Sequence, residues 1–250
     1  MILTRPRGLR YNQYMRFVIG GLAVWLVFSS LFLLIVALNS PPNARATLQM
    51  ALGLGLLWIG GGGSLFYRLR VLIRQVVGKV PLPWAVRFVL FATVLALLEE
   101  GISTGMTNAA PLFGVPVGAA YITASANYWD VVCCHSVVVF IPMFIAWAWL
   151  LKFWDFRPTG VFLLFGITGL LAETIYGGAQ ALLQFSFWIF TYGLMVYLSA
   201  ESLPSRLTAR RPTLWAVLLA LLLPIVFAVP VALLVSTLHP ISIHFPPIQN

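Results

Sequence analysis

The chain has 250 residues, 61% of them hydrophobic and only 8% charged, and its mean hydropathy is +0.97. A soluble protein of this length needs a polar exterior that this composition cannot supply. The fold class is therefore all-α, a polytopic transmembrane helical bundle. The net charge of +9 would suit a nucleic-acid binder, but its distribution follows membrane topology instead, which excludes nucleic acid as a partner.

Apolar runs near the ~20 residues needed to cross a bilayer lie at 17–38, 48–67, 84–105, 131–151, 160–179, 182–199 and 214–238. They give about seven spans in one integral membrane domain, residues 1–250. The first follows a basic leader, and Ala44-Arg45-Ala46 resembles a cleavage site. That run is too long for a typical signal-peptide core, so it reads as an uncleaved span. The second contains Gly60-Gly61-Gly62-Gly63, which predicts close helix packing or a bend. After it, RLRVLIRQVVGKVPLP is basic and amphipathic and is expected to lie along the inner surface. Residues 106–130 are too apolar for a free loop and too broken for a span, so a re-entrant or interface-hugging segment is expected. Cys133 and Cys134 are adjacent and read as packed thiols rather than a disulfide. The block 160–200 is split at Gly177-Gly178 into two helices.

With the N-terminus cytoplasmic and seven crossings, the C-terminus lies outside. Arg5, Arg7, Arg10, Arg16, Arg68, Arg70, Arg74, Lys79, Arg87, Lys152, Arg157, Arg206, Arg210 and Arg211 then fall at the inner face, and Arg45 alone lies outside. That is the positive-inside pattern. The expected location is the cell inner (plasma) membrane, with lipid headgroups as partners of the cationic face.

The third run, FVLFATVLALLEEGISTGM, carries Glu99 and Glu100. One carboxylate at a bilayer centre costs about 2.5–3.5 kcal/mol even on a mild insertion scale. A pair needs protons, partners, water or a metal to offset that cost. At ~1.5 Å rise per residue, Glu99 lies about 18 Å from Arg87, Glu173 about 20 Å beyond Gly160, and His135 about 7 Å inside Asp130. Three helices thus bring ionisable groups into the outer half. Glu100, Thr104, Thr107 and Asn108 follow one helical stripe, with Ser103 beside it; Glu173, Tyr176 and Gln180 follow another. Glu99, Glu100, His135 and Glu173 are the candidate catalytic residues. Thr104, Asn108, Tyr176 and Gln180 are the candidate substrate contacts. Adjacent glutamates point about 100° apart, so both reach one site only if it lies between several helices.

This constellation suits an intramembrane hydrolase acting on a membrane peptide or lipid. Close carboxylates disfavour double ionisation, so one holds a proton while the other activates water; His135 would stabilise developing charge and Glu173 would orient the site. A diglutamate helix followed about 35 residues later by a histidine resembles the CAAX-protease and bacteriocin-processing (CPBP) membrane family. The resemblance covers residues 95–180 and implies glutamate-dependent peptide cleavage within the membrane. The chain departs from that family at Thr104, where the family places Arg, at Val131, where it places Phe, and on the fifth span, where Glu173 and Gly177 stand in place of its last histidine motif. The same four residues, Glu99, Glu100, His135 and Glu173, could alternatively hold Zn, Mn or Fe. Two other classes stay open: a proton- or cation-coupled transporter, and a non-catalytic membrane subunit or assembly factor with partner subunits.

Overall fold

The computed structural model describes residues 8–204, 208–239 and 245, apart from the side chains of residues 8–13, 16, 176 and 177. Proline and glycine punctuate the chain into helices. Helix α1 (Gly8–Leu38) stops before Pro41, and Pro42 opens α2 (Pro42–Leu54) at a first-turn position where its missing N–H costs nothing. The last carbonyls of α1 are taken up by side chains: Asn39 Nδ2 donates to Ile35 at 3.0 Å, Ser40 Oγ to Val36 at 2.8 Å, and Arg45 Nε to Ala37 at 3.2 Å. Arg45, the cation that topology places apart from the rest, thus neutralises the negative end of a helix.

Helix α2 runs through a π-helical stretch (Gly55–Gly62) into α3 (Gly63–Gly78) as one continuous helix, Pro42–Gly78. The four-glycine run divides its expected roles. A Cβ at Gly60 or Gly61 would meet only carbonyls of its own helix, at 3.7 and 3.5 Å, so these two ease the wide turn and do not bring a neighbour close. Close approach occurs at Gly53 and Gly55, against the Met106 sulfur and the Phe187 ring. The amphipathic segment after the second run is α3 itself, an extension of the second span and not a separate surface helix.

Helix α4 (Trp84–Asn108) follows. Arg87 on its first turn donates to the carbonyls of Val77 at 3.1 Å and Gly78 at 2.7 Å, closing the end of α3. After a 3₁₀ turn (Ala110–Phe113) and an irregular stretch, Asn127 Oδ1 accepts from Trp129 N–H at 3.0 Å and starts α5 (Tyr128–Cys134). Helix α6 (Val137–Phe153) continues from it at a 43° bend. Pro158 opens α7 (Pro158–Gly177), and Gly178, at φ 92°, turns the chain through a 3₁₀ segment (Ala179–Gln184) into α8 (Phe185–Glu201). The expected split at Gly177-Gly178 is therefore present. Helix α9 (Leu214–Leu238) begins at Thr213, whose hydroxyl accepts from Ala216 N–H at 3.2 Å. No strand occurs among the described residues.

Five helices are long and apolar enough to cross a membrane, Phe17–Leu38, Pro42–Gly78, Pro158–Ile175, Ala179–Glu201 and Leu214–Leu238; the bent α5–α6 pair makes six. This is a helical membrane-protein architecture. The glutamate helix α4 is not in that set; it carries Arg87, Glu99 and Glu100 over 25 residues.

The connections sort into two ends of the bundle. At one end, Ala46 and Met50 of α2 pack with Ala110, Val115 and Ala120, and Phe245 N–H donates to Ala124 at 2.9 Å while its ring stacks on Tyr121. At the other, Asp155 N–H donates to Arg210 at 2.7 Å and Arg210 N–H to Phe153 at 2.9 Å, joining the α6–α7 and α8–α9 connections. Lys79, Arg87, Lys152, Arg157, Arg210 and Arg211 lie at this second end, and Arg45 at the first. The core lies between: α4 packs on α2, α6 and α8, α7 lies along α8, and α9 closes against α6 and α7.

Candidate functional site

Helix α4 is wrapped by neighbours on most of its circumference, and this resolves the geometry of the adjacent glutamates. Glu99 is 5% and Glu100 7% exposed, so two side chains about 100° apart are both interior. Glu100 accepts from Ser103 Oγ at 3.3 Å on its own helix and lies near Ser136, the residue preceding α6, whose hydroxyl donates to the Val131 carbonyl at 3.2 Å. Glu99 lies within electrostatic range of both Glu100 and Glu173. Glu173, on α7 and half-buried, accepts a hydrogen bond from the Tyr192 hydroxyl on α8. Tyr192 is buried, with its ring edge-on to Phe140 at 5.7 Å. Three helices therefore surround one acidic cluster, and each carboxyl has hydroxyl or carboxyl company.

The α7–α8 contact that brings Glu173 to Tyr192 depends on three glycines. A Cβ at Gly169 would run into the Tyr192 ring, one at Gly166 into Ile189, and one at Gly193 would meet the Phe162 carbonyl at 2.8 Å. Small residues at helix contacts let backbones approach in membranes. Here that approach sets the reach of one hydrogen bond.

Above Glu100, the α4 stripe leaves the acidic cluster and becomes an anchor for the 106–130 segment. Thr107, fully buried, accepts from Ile122 N–H at 3.2 Å and Thr123 Oγ1 at 2.9 Å. Asn108 Nδ2 donates to Thr104 at 3.0 Å and to Ala126 at 2.8 Å. Tyr128 reaches back to donate to the Leu97 carbonyl at 2.9 Å. Between the segment and the helix lies an open, groove-shaped cavity of about 310 Å³ at the surface, lined by Gly101, Thr104, Gly105, Asn108, Ala126 and Tyr128. The Thr104 hydroxyl is buried and has no hydrogen-bond partner.

The residues expected from sequence thus fall into three places. Glu99, Glu100 and Glu173 come together. Thr104 and Asn108 line the cavity one and two turns further along α4. His135 is exposed at the α5–α6 break, directly before Ser136, and Gln180 is exposed in the 3₁₀ segment beyond α7. The side chain of Tyr176 lies outside the described residues. Among the described residues no three His, Cys, Asp or Glu side chains stand close enough to hold a metal ion. The set Glu99, Glu100, His135 and Glu173 therefore does not fit a metal centre. Cys133 and Cys134 are both free thiols.

Tyr192 and Ser136 are the members that sequence reasoning missed. Tyr192 lies about 10 Å into α8 at ~1.5 Å per residue, a depth comparable with Glu173, which is the only signal it gives. Ser136 gives none, since its role depends on the bend that follows His135. No known protein family, curated protein or solved structure matches the chain.

Proposed function

We propose that this protein is an intramembrane hydrolase that uses glutamate-activated water on an ester or amide bond delivered within the bilayer. The observation that carries the reading is the continuity of one helix face. Buried Glu100 and the cavity at Thr104 are one turn apart, about 6 Å along α4. A carboxyl held by the Ser103 hydroxyl thus sits one turn from an open groove at the helix surface.

The chemistry assigns Glu100 as the base. Its carboxylate takes a proton from water while the water oxygen bonds to the substrate carbonyl carbon. Glu99, in its acid form, gives its proton to the departing oxygen or nitrogen as that bond breaks. The two glutamates then differ by one exchanged proton, which passes back between neighbours, and the net reaction consumes one water. Glu173 and Tyr192 position the far side of the cluster. The CPBP-like spacing of the glutamates and His135 agrees with this class of reaction.

In this reading α4 is the seventh crossing. The cationic end of the bundle faces the cytoplasm, and the 106–130 end faces outward from the plasma membrane. The experiment uses purified protein in vesicles of phosphatidylethanolamine and phosphatidylglycerol, with an added fluorescent membrane peptide, in ¹⁸O-labelled water. Labelled carboxyl product is expected from the wild type, falling about 10²–10⁴-fold in Glu100→Gln and disappearing in the Glu99→Gln/Glu100→Gln double variant. Full turnover in the double variant overturns the reading.

A second reading, proton- or cation-coupled transport, draws on the same carboxyls and on Ser199 Oγ. That hydroxyl is buried and unpartnered about two turns beyond Tyr192 towards the cationic end. Glutamate-dependent acidification of pyranine-loaded vesicles without any labelled product would replace hydrolysis by transport.

A further inference from the structure

We propose that Cys133 and Cys134 form a redox-active vicinal dithiol, and that closing a disulfide between them unlocks the α5–α6 break. This goes beyond the hydrolase reading and does not depend on it.

Sequence alone reads the two thiols as packed, and the fold differs. Cys133 is exposed, Cys134 is half-buried, and both are free. They are the last two residues of α5. Exposed Asn127 just before that helix and exposed His135 just after it bracket the pair with polar surface. Exposed Trp129 stands one turn from Cys133 on the same helix face and marks headgroup depth. A water-soluble oxidant therefore reaches Cys133. In the orientation proposed above, this end faces out of the cell, where disulfides form and persist.

Geometry sets the consequence. Adjacent side chains on a helix point about 100° apart. Their Cα atoms are about 3.8 Å apart, closer than the ~4.4–6.8 Å usual for disulfides. The sulfurs meet only if the backbone at 133 and 134 leaves helical angles, and a bond strained in this way is readily reduced again. One carbonyl holds the chain that follows: Val131 O accepts from His135 N–H, from Ser136 N–H at 2.9 Å and from Ser136 Oγ at 3.2 Å. The loop closed by those bonds contains both cysteines, so rotating their backbone draws the donors off the carbonyl. Ser136 stands near Glu100 at the start of α6, and the disturbance reaches the acidic cluster.

The chemistry is exchange with an external disulfide. The Cys133 thiolate attacks one sulfur of the oxidant, forms a mixed disulfide and releases one thiolate. The Cys134 thiolate then attacks the Cys133 sulfur and releases the second. The pair gives up two protons and two electrons, and the oxidant leaves as two thiols.

The test incubates the reduced full-length protein in nanodiscs with oxidised glutathione, alkylates free thiols and maps residues 127–140 by mass spectrometry. The wild-type peptide is expected to lose two hydrogens and escape alkylation at both cysteines, and dithiothreitol should restore both sites. Cys134→Ser should stop at a glutathione adduct on Cys133. Amide hydrogen exchange at His135 and Ser136 should be faster in the oxidised protein, and unchanged by oxidant in the Cys133→Ser/Cys134→Ser variant. A glutathione adduct persisting on wild-type Cys133, a disulfide-linked dimer, or two thiols still free overturns the dithiol. A closed disulfide with His135 and Ser136 exchanging as before overturns the unlocking.

Discussion

The Glu173–Tyr192 contact shows how much the site depends on single atoms. Tyr192→Phe removes the hydroxyl donor and leaves a buried carboxyl oxygen without it. A lost hydrogen bond with one partner left buried costs about 1–3 kcal/mol. The expected outcome is a lower melting temperature in detergent together with reduced turnover, and both follow from one measurement series on the purified variant. Full stability and full turnover in Tyr192→Phe would show that Glu173 has no part in the site. At this scale the sequence was informative for charge and poor for partners. Glu99, Glu100 and Glu173 are conspicuous because ionised groups are rare in apolar runs. Ser136 and Tyr192 look like any other membrane hydroxyls until the fold places them. His135 shows the opposite failure: its spacing from Glu100 is visible in the sequence, whereas its exposure is set by the bend after Cys134.

Helix positions were legible because apolar runs and Gly or Pro breaks are local features. The turn at Gly178 and the start at Pro158 fall where those residues demand them. What lay beyond sequence was how each helix is used. Gly60 and Gly61 ease a π-helical stretch, whereas Gly166, Gly169 and Gly193 do the packing. All are glycines in apolar surroundings, and only the neighbour separates the roles. Gly169→Ala pushes a methyl into the Tyr192 ring with little room to yield. Overpacking of this kind costs about 1–3 kcal/mol. Thermal unfolding should show that loss for Gly169→Ala, with Gly61→Ala close to wild type because its Cβ meets no neighbouring helix. Equal effects at the two positions would remove the distinction between packing glycines and turn glycines.

For the molecule as a whole, charge and fold sort the described connections into the same two ends of the bundle. The sequence assigns one end of the bundle most of its cations, and the tertiary contacts gather the connections carrying Lys79, Arg87, Lys152, Arg157, Arg210 and Arg211 at that end. Orientation is testable with introduced thiols in a Cys133→Ser/Cys134→Ser background. Leu112→Cys, on the exposed 3₁₀ turn, should react with a membrane-impermeant maleimide in intact cells. Lys79→Cys should react only after permeabilisation. The reverse pattern would invert the bundle and place the acidic cluster nearer the cytoplasm.

Phe245 has a practical bearing on how the protein is handled. Its backbone bond to Ala124 and its stacking on Tyr121 tie Phe245 itself to the 106–130 segment that borders the groove beside α4. Removing residue 245 by truncation takes away one backbone hydrogen bond and one ring contact from that segment while leaving every helix intact. A shortened protein is therefore the wrong material in which to judge how firmly the segment is held.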